Sequence, residues 1–96
     1  MSYSLEFKSS ALKEWRALGS TIREQLKKKL AERLLHPAVP SARLHGMPDC
    51  YKIKLHASGY RLVYQVVDSR VTVIVVAVGK REGAAVYRTA ETRLRL

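Results

Sequence analysis

Tyr51-Lys52-Ile53-Lys54-Leu55-His56-Ala57-Ser58-Gly59-Tyr60-Arg61-Leu62-Val63-Tyr64-Gln65-Val66 is the stretch that decides the fold. Tyr51, Ile53 and Leu55 alternate with Lys52, Lys54 and His56, which is the period of a half-buried strand. Ala57-Ser58-Gly59 reads as a turn, and Tyr60 to Val67 as a second strand whose apolar set is Tyr60, Leu62, Tyr64 and Val66. Opposed residues in a hairpin point the same way. With a tight two-residue loop, Lys52, Lys54, His56, Arg61 and Gln65 then share one face, and the tyrosines and aliphatics take the other. Asp68-Ser69-Arg70 is a second turn, and Val71 to Val78 a third strand. That run is apolar on both sides, so it belongs in the middle of the sheet with both faces covered.

Upstream, Tyr3-Ser4-Leu5-Glu6-Phe7 alternates as a short strand. Ala11, Leu12, Trp15 and Leu18 recur at helical spacing, with Ser9 or Ser10 as the expected cap and Gly19 as the expected left-handed stop. Thr21-x-x-Glu24 matches a capping box, and Ile22, Leu26, Leu30 and Leu34 line one face of a second helix that Pro37 ends by about Leu35. Residues 36–50 hold all three prolines and read as an irregular connection. Gly79 to Gly83 breaks the strand pattern, and Ala84 to Leu94 reads as a polar helical tail. The expectation is one α+β domain over residues 1–96: an N-terminal strand, a helical hairpin packed on an antiparallel sheet, and a short C-terminal helix.

Composition narrows the function. A chain of 96 residues that is 47% hydrophobic supports one core. No apolar run approaches a membrane span, and the N-terminus has no pattern of a secretory signal. Cys50 is the only cysteine, which rules out an intrachain disulfide and fits a reducing cytoplasm. The net charge of +10, with pI ≈ 10.2, is spread over both halves of the chain. It points to nucleic acid, an anionic surface or an acidic protein partner.

Four basic groups at ladder spacing, Lys52, Lys54, His56 and Arg61, repel one another, and a phosphodiester laid over them relieves that repulsion. Parity alone leaves a second reading open, a solvated face whose lysines discourage edge pairing. Arg81, in Gly79-Lys80-Arg81-Glu82-Gly83, suits bidentate phosphate contact or is part of an ordinary charged loop. Tyr87 reads as well as an amphipathic-helix aromatic as a functional one. Arg23, Lys27 and Lys28 form a basic helix face, either solvated or able to touch RNA phosphates. His36, His45 and His56 lack metal-ligand spacing, no phosphate-binding loop is present, and Cys50 has no partner motif, so no cofactor is expected.

Glu14-Trp15-Arg16, Gly19-Ser20-Thr21, Arg23 to Leu30, Gly46 to Leu55, Ser58 to Val66 and Val78 to Glu82 resemble the RelE toxins of the RelE/ParE superfamily. The resemblance runs nearly the length of the chain. It implies a type II toxin that enters the ribosomal A site and cuts messenger RNA through the ribose 2′-hydroxyl. It also implies contact with ribosomal RNA and restraint by an acidic RelB-like antitoxin. The family's active-site pattern of Lys, Lys, Arg, Arg and Tyr falls on Lys52, Lys54, Arg61, Arg81 and Tyr87. His45 and His56 depart from it, since close family members carry arginine there; both are expected beside the RNA. Two other classes share the charge: a gyrase-directed toxin of the ParE branch, and a non-catalytic nucleic-acid-binding module. The complete Lys-Lys-Arg-Arg-Tyr set argues against the first. The scarcity of stacking aromatics on the basic face argues against the second.

Overall fold

The computed structural model describes residues 2–82 and 84–95. A three-stranded antiparallel meander forms its centre: β2 (Cys50–Leu55), β3 (Tyr60–Val67) and β4 (Thr72–Lys80). The N-terminal strand β1 (Ser4–Phe7) joins the far side of β4, giving the order β1-β4-β3-β2. Here the structure corrects the expectation of a wholly antiparallel sheet, because β1 runs parallel to β4. No hairpin links the two. The chain leaves β1 through α1 (Ser9–Arg16) and α2 (Ser20–Leu35), which cross one face of the sheet.

The hairpin loop is four residues long, 56–59, rather than two, closed by the Gly59 N–H donating to Leu55 C=O at 2.9 Å. Gly59 takes φ +79°, which a side chain would resist. The register still sets Lys54 opposite Arg61 and Ile53 opposite Leu62, so the expected faces hold for the paired residues, whereas His56, expected beside Lys54 on the sheet face, falls in the longer loop beyond β2 and has no place in the ladder. One face carries Tyr51, Ile53, Leu55, Leu62, Tyr64, Val66, Val73, Val75 and Val78 against Leu26 and Leu30 of α2 and Ala11 of α1. The other carries Cys50, Val63, Val76 and Ala77 under α3 (Ala85–Arg95), whose Val86 and Ala90 point inward. Central β4 is thus covered on both sides, as its apolar run requires.

Three local expectations fail for backbone reasons. Ser9 and Ser10 lie inside α1, whose cap is Lys8, because the Lys8 N–H is committed to Val75 C=O at 3.0 Å and keeps the chain extended. Gly19 does not stop α1 in a left-handed conformation. It is extended (φ −62°, ψ 153°) and caps α2, which removes the Thr21–Glu24 capping box. β4 also runs on through Gly79 and Lys80, which pair with Arg61 and Tyr60. Gly83, expected to flank the basic loop, lies outside the described residues.

One irregularity matters for the site. Val63 pairs with Ala77 but Tyr64 pairs with Val75, so Val76 is an extra residue, a β-bulge. Val76 and Ala77 both face α3. Without the bulge, strict alternation from Val73 and Val75 would turn Gly79 and Arg81 toward the helical hairpin. With it, Val78 faces the hairpin core and Gly79 joins the Lys54–Arg61 face.

Candidate active site

Lys54, Arg61 and Gly79 form one row across β2, β3 and β4. Lys52 lies one row away on the same side of β2 as Lys54. Arg81 follows the end of β4, its N–H donating to Gly59 C=O at 2.8 Å, so the end of β4 is tied to the hairpin loop. At Gly79 an added Cβ would meet Val86 Cγ2 at 3.2 Å, which shows how closely α3 lies over this row. Tyr87, in the first turn of α3, is half-buried against the second core cluster.

Arg61 is the unusual member. It is only 6% exposed, yet its guanidinium donates to backbone alone: to Tyr60 C=O at 2.9 Å and, more weakly, to Leu55 C=O at 3.5 Å. Its Nε is buried without a partner. Among the described residues no carboxylate lies within ion-pair distance of Lys52, Lys54, Arg61 or Arg81. A buried, uncompensated cation is costly, and its neighbours add to the strain. The charge of Lys52, followed by burial and by Arg61 and Arg81, holds the Lys54 ammonium below the ordinary lysine range. Such a cluster is poised for an anion, and one depressed lysine within it is poised to take a proton.

The rest of the candidate set is dispersed. His56 begins the hairpin loop and is exposed, and with Lys54 it borders a shallow hollow completed by Ile22, Gln25 and Lys29. His45 is exposed in the loop before β2, where Leu44 and Met47 anchor the chain to the α3 side of the sheet. Arg23, Lys27 and Lys28 sit on α2, across the sheet from Lys54 and Arg61. The Arg23 guanidinium also donates to Leu18 C=O at 2.9 Å, a structural use that sequence spacing did not reveal. Arg23 and Lys27 border an apolar groove of about 440 Å³ between α1, α2 and β1, floored by Phe7, Trp15, Leu30 and Leu34. Cys50 is fully buried, and burial with nearby Asp49 pushes its thiol up to about 11, which makes it inert.

Two structural supports were invisible locally. Arg33 Nη1 donates to Lys52 C=O at 3.0 Å and to the Tyr64 hydroxyl at 2.9 Å, and that hydroxyl donates to Pro37 C=O at 2.7 Å. This pins the lysine-bearing strand to α2. On the other side, Glu14 and Arg93 pair across 79 residues at 2.8 and 3.1 Å.

No cluster of metal-ligating side chains occurs among the described residues, and no helix there is long and apolar enough to cross a membrane.

Residues 5–84 match the model of the ParE toxin family of the type II toxin–antitoxin system parDE. The mRNA interferase toxin RelE of Escherichia coli K12 is 62% identical over 94 residues, which cover 98% of this chain and 99% of that protein. A putative RelE-like toxin protein of E. coli is 53% identical over 95 residues, covering 99% of this chain and all of that one. Among solved structures, a free-state mutant of E. coli RelE superposes with a TM-score of 0.90 at 61% identity, covering 98% and 99% of the two chains. The toxin in the intact E. coli RelBE complex gives 0.82 at 65% identity, covering 83% and 98%. A chain with this sheet, this basic row and these relatives belongs to the RelE/ParE family of type II toxins, among its RelE members.

Proposed function

We propose that the protein is a ribosome-dependent endoribonuclease that cuts messenger RNA in the A site. The observation that carries this reading is Arg61: a buried arginine that, among the described residues, has an orphaned Nε and no carboxylate at ion-pair distance, beside Lys52, Lys54 and Arg81. A scissile phosphate supplies the missing negative charge. The mRNA interferase name of its E. coli relative supports the same substrate.

In-line attack needs a proton taken from the 2′-hydroxyl, neutralisation of the phosphate, and support for the departing 5′-oxygen. Lys54 takes the proton, since Lys52, burial, Arg61 and Arg81 make its charged form less favourable than that of an ordinary lysine. Arg61 and Lys52 hold the non-bridging oxygens. Arg81 stabilises the 5′-oxygen by charge, because a guanidinium does not give up its proton near neutrality. Tyr87 orients the nucleotide over the row. The products are a 2′,3′-cyclic phosphate and a 5′-hydroxyl. His45 and His56 contact flanking RNA. Arg23, Lys27 and Lys28 reach a separate stretch of phosphate, in ribosomal RNA, across the body of the protein.

The ribosome supplies what the free site lacks. A basic sheet face in water is screened, and free messenger is not bent for in-line attack. Positioning can contribute roughly 7–11 kcal/mol in the best intramolecular cases. The partner that restrains a +10 toxin is an acidic RelB-like chain laid along the helical hairpin, where the groove of Phe7, Trp15 and Leu34 is edged by Arg23 and Lys27. The RelBE complex of the relative supports this partnership. The protein acts in the cytoplasm, where ribosomes are.

The test is expression of the chain followed by mapping of messenger ends. Translation arrest with new 5′-hydroxyl ends within ribosome-bound codons supports the reading. DNA damage without cleavage would assign the chain to gyrase-directed toxins, and neither outcome would leave a binding module.

A further inference from the structure

Two backbone groups of β4, one at the bulge and one just beyond it, bond to side chains. Val78 N–H donates to Glu14 Oε1 at 3.1 Å, and Arg93 Nη1 donates to Val76 C=O at 2.8 Å. The same Arg93 grips Glu14 through Nη1 at 2.8 Å and Nη2 at 3.1 Å. Glu14 belongs to α1 and Arg93 to α3, so the pair reaches from the helical hairpin to the C-terminal helix around the bulge. Both side chains are partly buried, Glu14 at 33% and Arg93 at 19% exposure.

We propose that Glu14 and Arg93 are positioning residues for cleavage. They act through the bulge on Arg81 and through α3 on Tyr87. The bulge is the feature that turns Gly79 and Arg81 to the Lys54 face. α3 is the element that brings Tyr87 there, and it docks at two places, Val86 over Gly79 and Arg93 over Val76. Removing the second hold frees α3 to pivot, leaves Val76 C=O without its donor and strips Glu14, the acceptor of Val78 N–H, of its ion-pair partner, which favours a regular ladder or a loosened one. Displacement of reacting groups by about 1 Å lowers rates by about a hundredfold.

An ion pair alone does not explain the arrangement, because the two residues perform opposite tasks for the backbone. Glu14 accepts and Arg93 donates. Exchanging them in the double variant Glu14→Arg, Arg93→Glu restores opposite charges but offers Val78 N–H no acceptor and Val76 C=O no donor. Arg93→Lys keeps a donor, and Glu14→Gln keeps an acceptor.

The rate readout rests on the cleavage reading above; a second readout does not. Single-turnover cleavage on programmed ribosomes should fall about tenfold to a hundredfold in Arg93→Ala at saturating ribosomes, with the half-saturating concentration nearly unchanged. Arg93→Lys and Glu14→Gln should recover most of the rate, and the exchanged pair should not. Tyr87→Phe should cost less in the Arg93→Ala background than in the parent, since Tyr87 is already displaced there. Independently, 3-fluorotyrosine labelling of the free protein, with the Tyr87 signal assigned by Tyr87→Phe, should show that signal shifted or broadened in Arg93→Ala and in the exchanged pair. The Tyr51 and Tyr64 signals should stay in place, which reports that the remainder is folded. If Arg93→Ala proves unfolded, the two conservative variants carry the comparison, and both should shift or broaden the Tyr87 signal relative to the parent. Full rate in Arg93→Ala, full rescue by the exchanged pair, or an unmoved Tyr87 signal would each overturn the proposal. A parent protein that cuts no messenger would remove the cleavage reading and leave the fluorine experiment to decide this one.

Discussion

Lys54 stands directly opposite Arg61 across the β2–β3 ladder, two like charges in a register position where opposite charges stabilise a sheet and like charges destabilise it. Lys52, on the same side of the strand, presses on Lys54 harder than Arg61 does. The arrangement has a cost in the free protein, and the cost has a pH signature. The folded pKa of Lys54 lies below its unfolded value, so the unfolded chain holds the proton more tightly. The penalty is present in full below the folded pKa and fades as pH rises through it toward the unfolded one. Lys54→Met should therefore raise the thermal midpoint at pH 7 while abolishing cleavage. That gain should shrink at pH 10. Calorimetry at both values checks it, and a midpoint lowered at pH 7 would contradict it.

The same depression predicts the pH–rate profile. The amine of Lys54 is the active form, so the single-turnover rate should climb with pH and level off once Lys54 is neutral. Replacing Lys52 by Met removes the largest cause of the depression. The ascending limb should move to higher pH, beyond any drop in the plateau. An unmoved limb would mean that another group sets it.

RNA binding without cleavage is an electrostatic event at this face. With about four cations engaged, the logarithm of the association constant should fall with the logarithm of salt at a slope of about −3 for single strands. Arg61→Ala should reduce that slope by about 0.7. Titrations at several salt concentrations measure both.

Tyr64 is fully buried, with its hydroxyl between Arg33 and Pro37 C=O. Tyr64→Phe keeps the ring stacked on Tyr51, 5.7 Å away, but strips both polar partners. It should cost about 1–3 kcal/mol of stability in denaturant unfolding.

Val71 ends the turn before β4 in a left-handed conformation, φ 47°, although it is β-branched. The residue is 39% exposed, so little packing holds it there. Val71→Asn should relieve about 1 kcal/mol of strain and raise the thermal midpoint by a few degrees. A lower midpoint would show that the valine packs better than its exposure implies.

The hairpin of Lys54 and Arg61 was legible because its two strands alternate strictly, and alternation survives a change of loop length from two residues to four. The bulge was not legible. Val73 to Val78 is apolar throughout, so its sequence carries no period that an inserted residue could interrupt. The direction of β1 was hidden for a similar reason: four residues state a face but not a heading. Cap motifs misled because Lys8 and Gly19 are fixed by backbone geometry, whatever hydroxyls stand beside them. Glu14 and Arg93 carry no local signal, being 79 residues apart and joined only through the folded sheet. The five residues Lys52, Lys54, Arg61, Arg81 and Tyr87 came from family resemblance. Parity independently put the first three on one face, where the structure has them.

The most direct test of ribosome-dependent cleavage at this face uses one messenger in two states. Single-turnover cutting is measured on the naked RNA and on the same RNA in programmed ribosomes with an empty A site. The account predicts binding to both, a rate on ribosomes higher by several orders of magnitude, and loss of that rate in Lys54→Met. A naked-RNA rate close to the ribosomal one would contradict it and would move the proton-accepting role from Lys54 to His56.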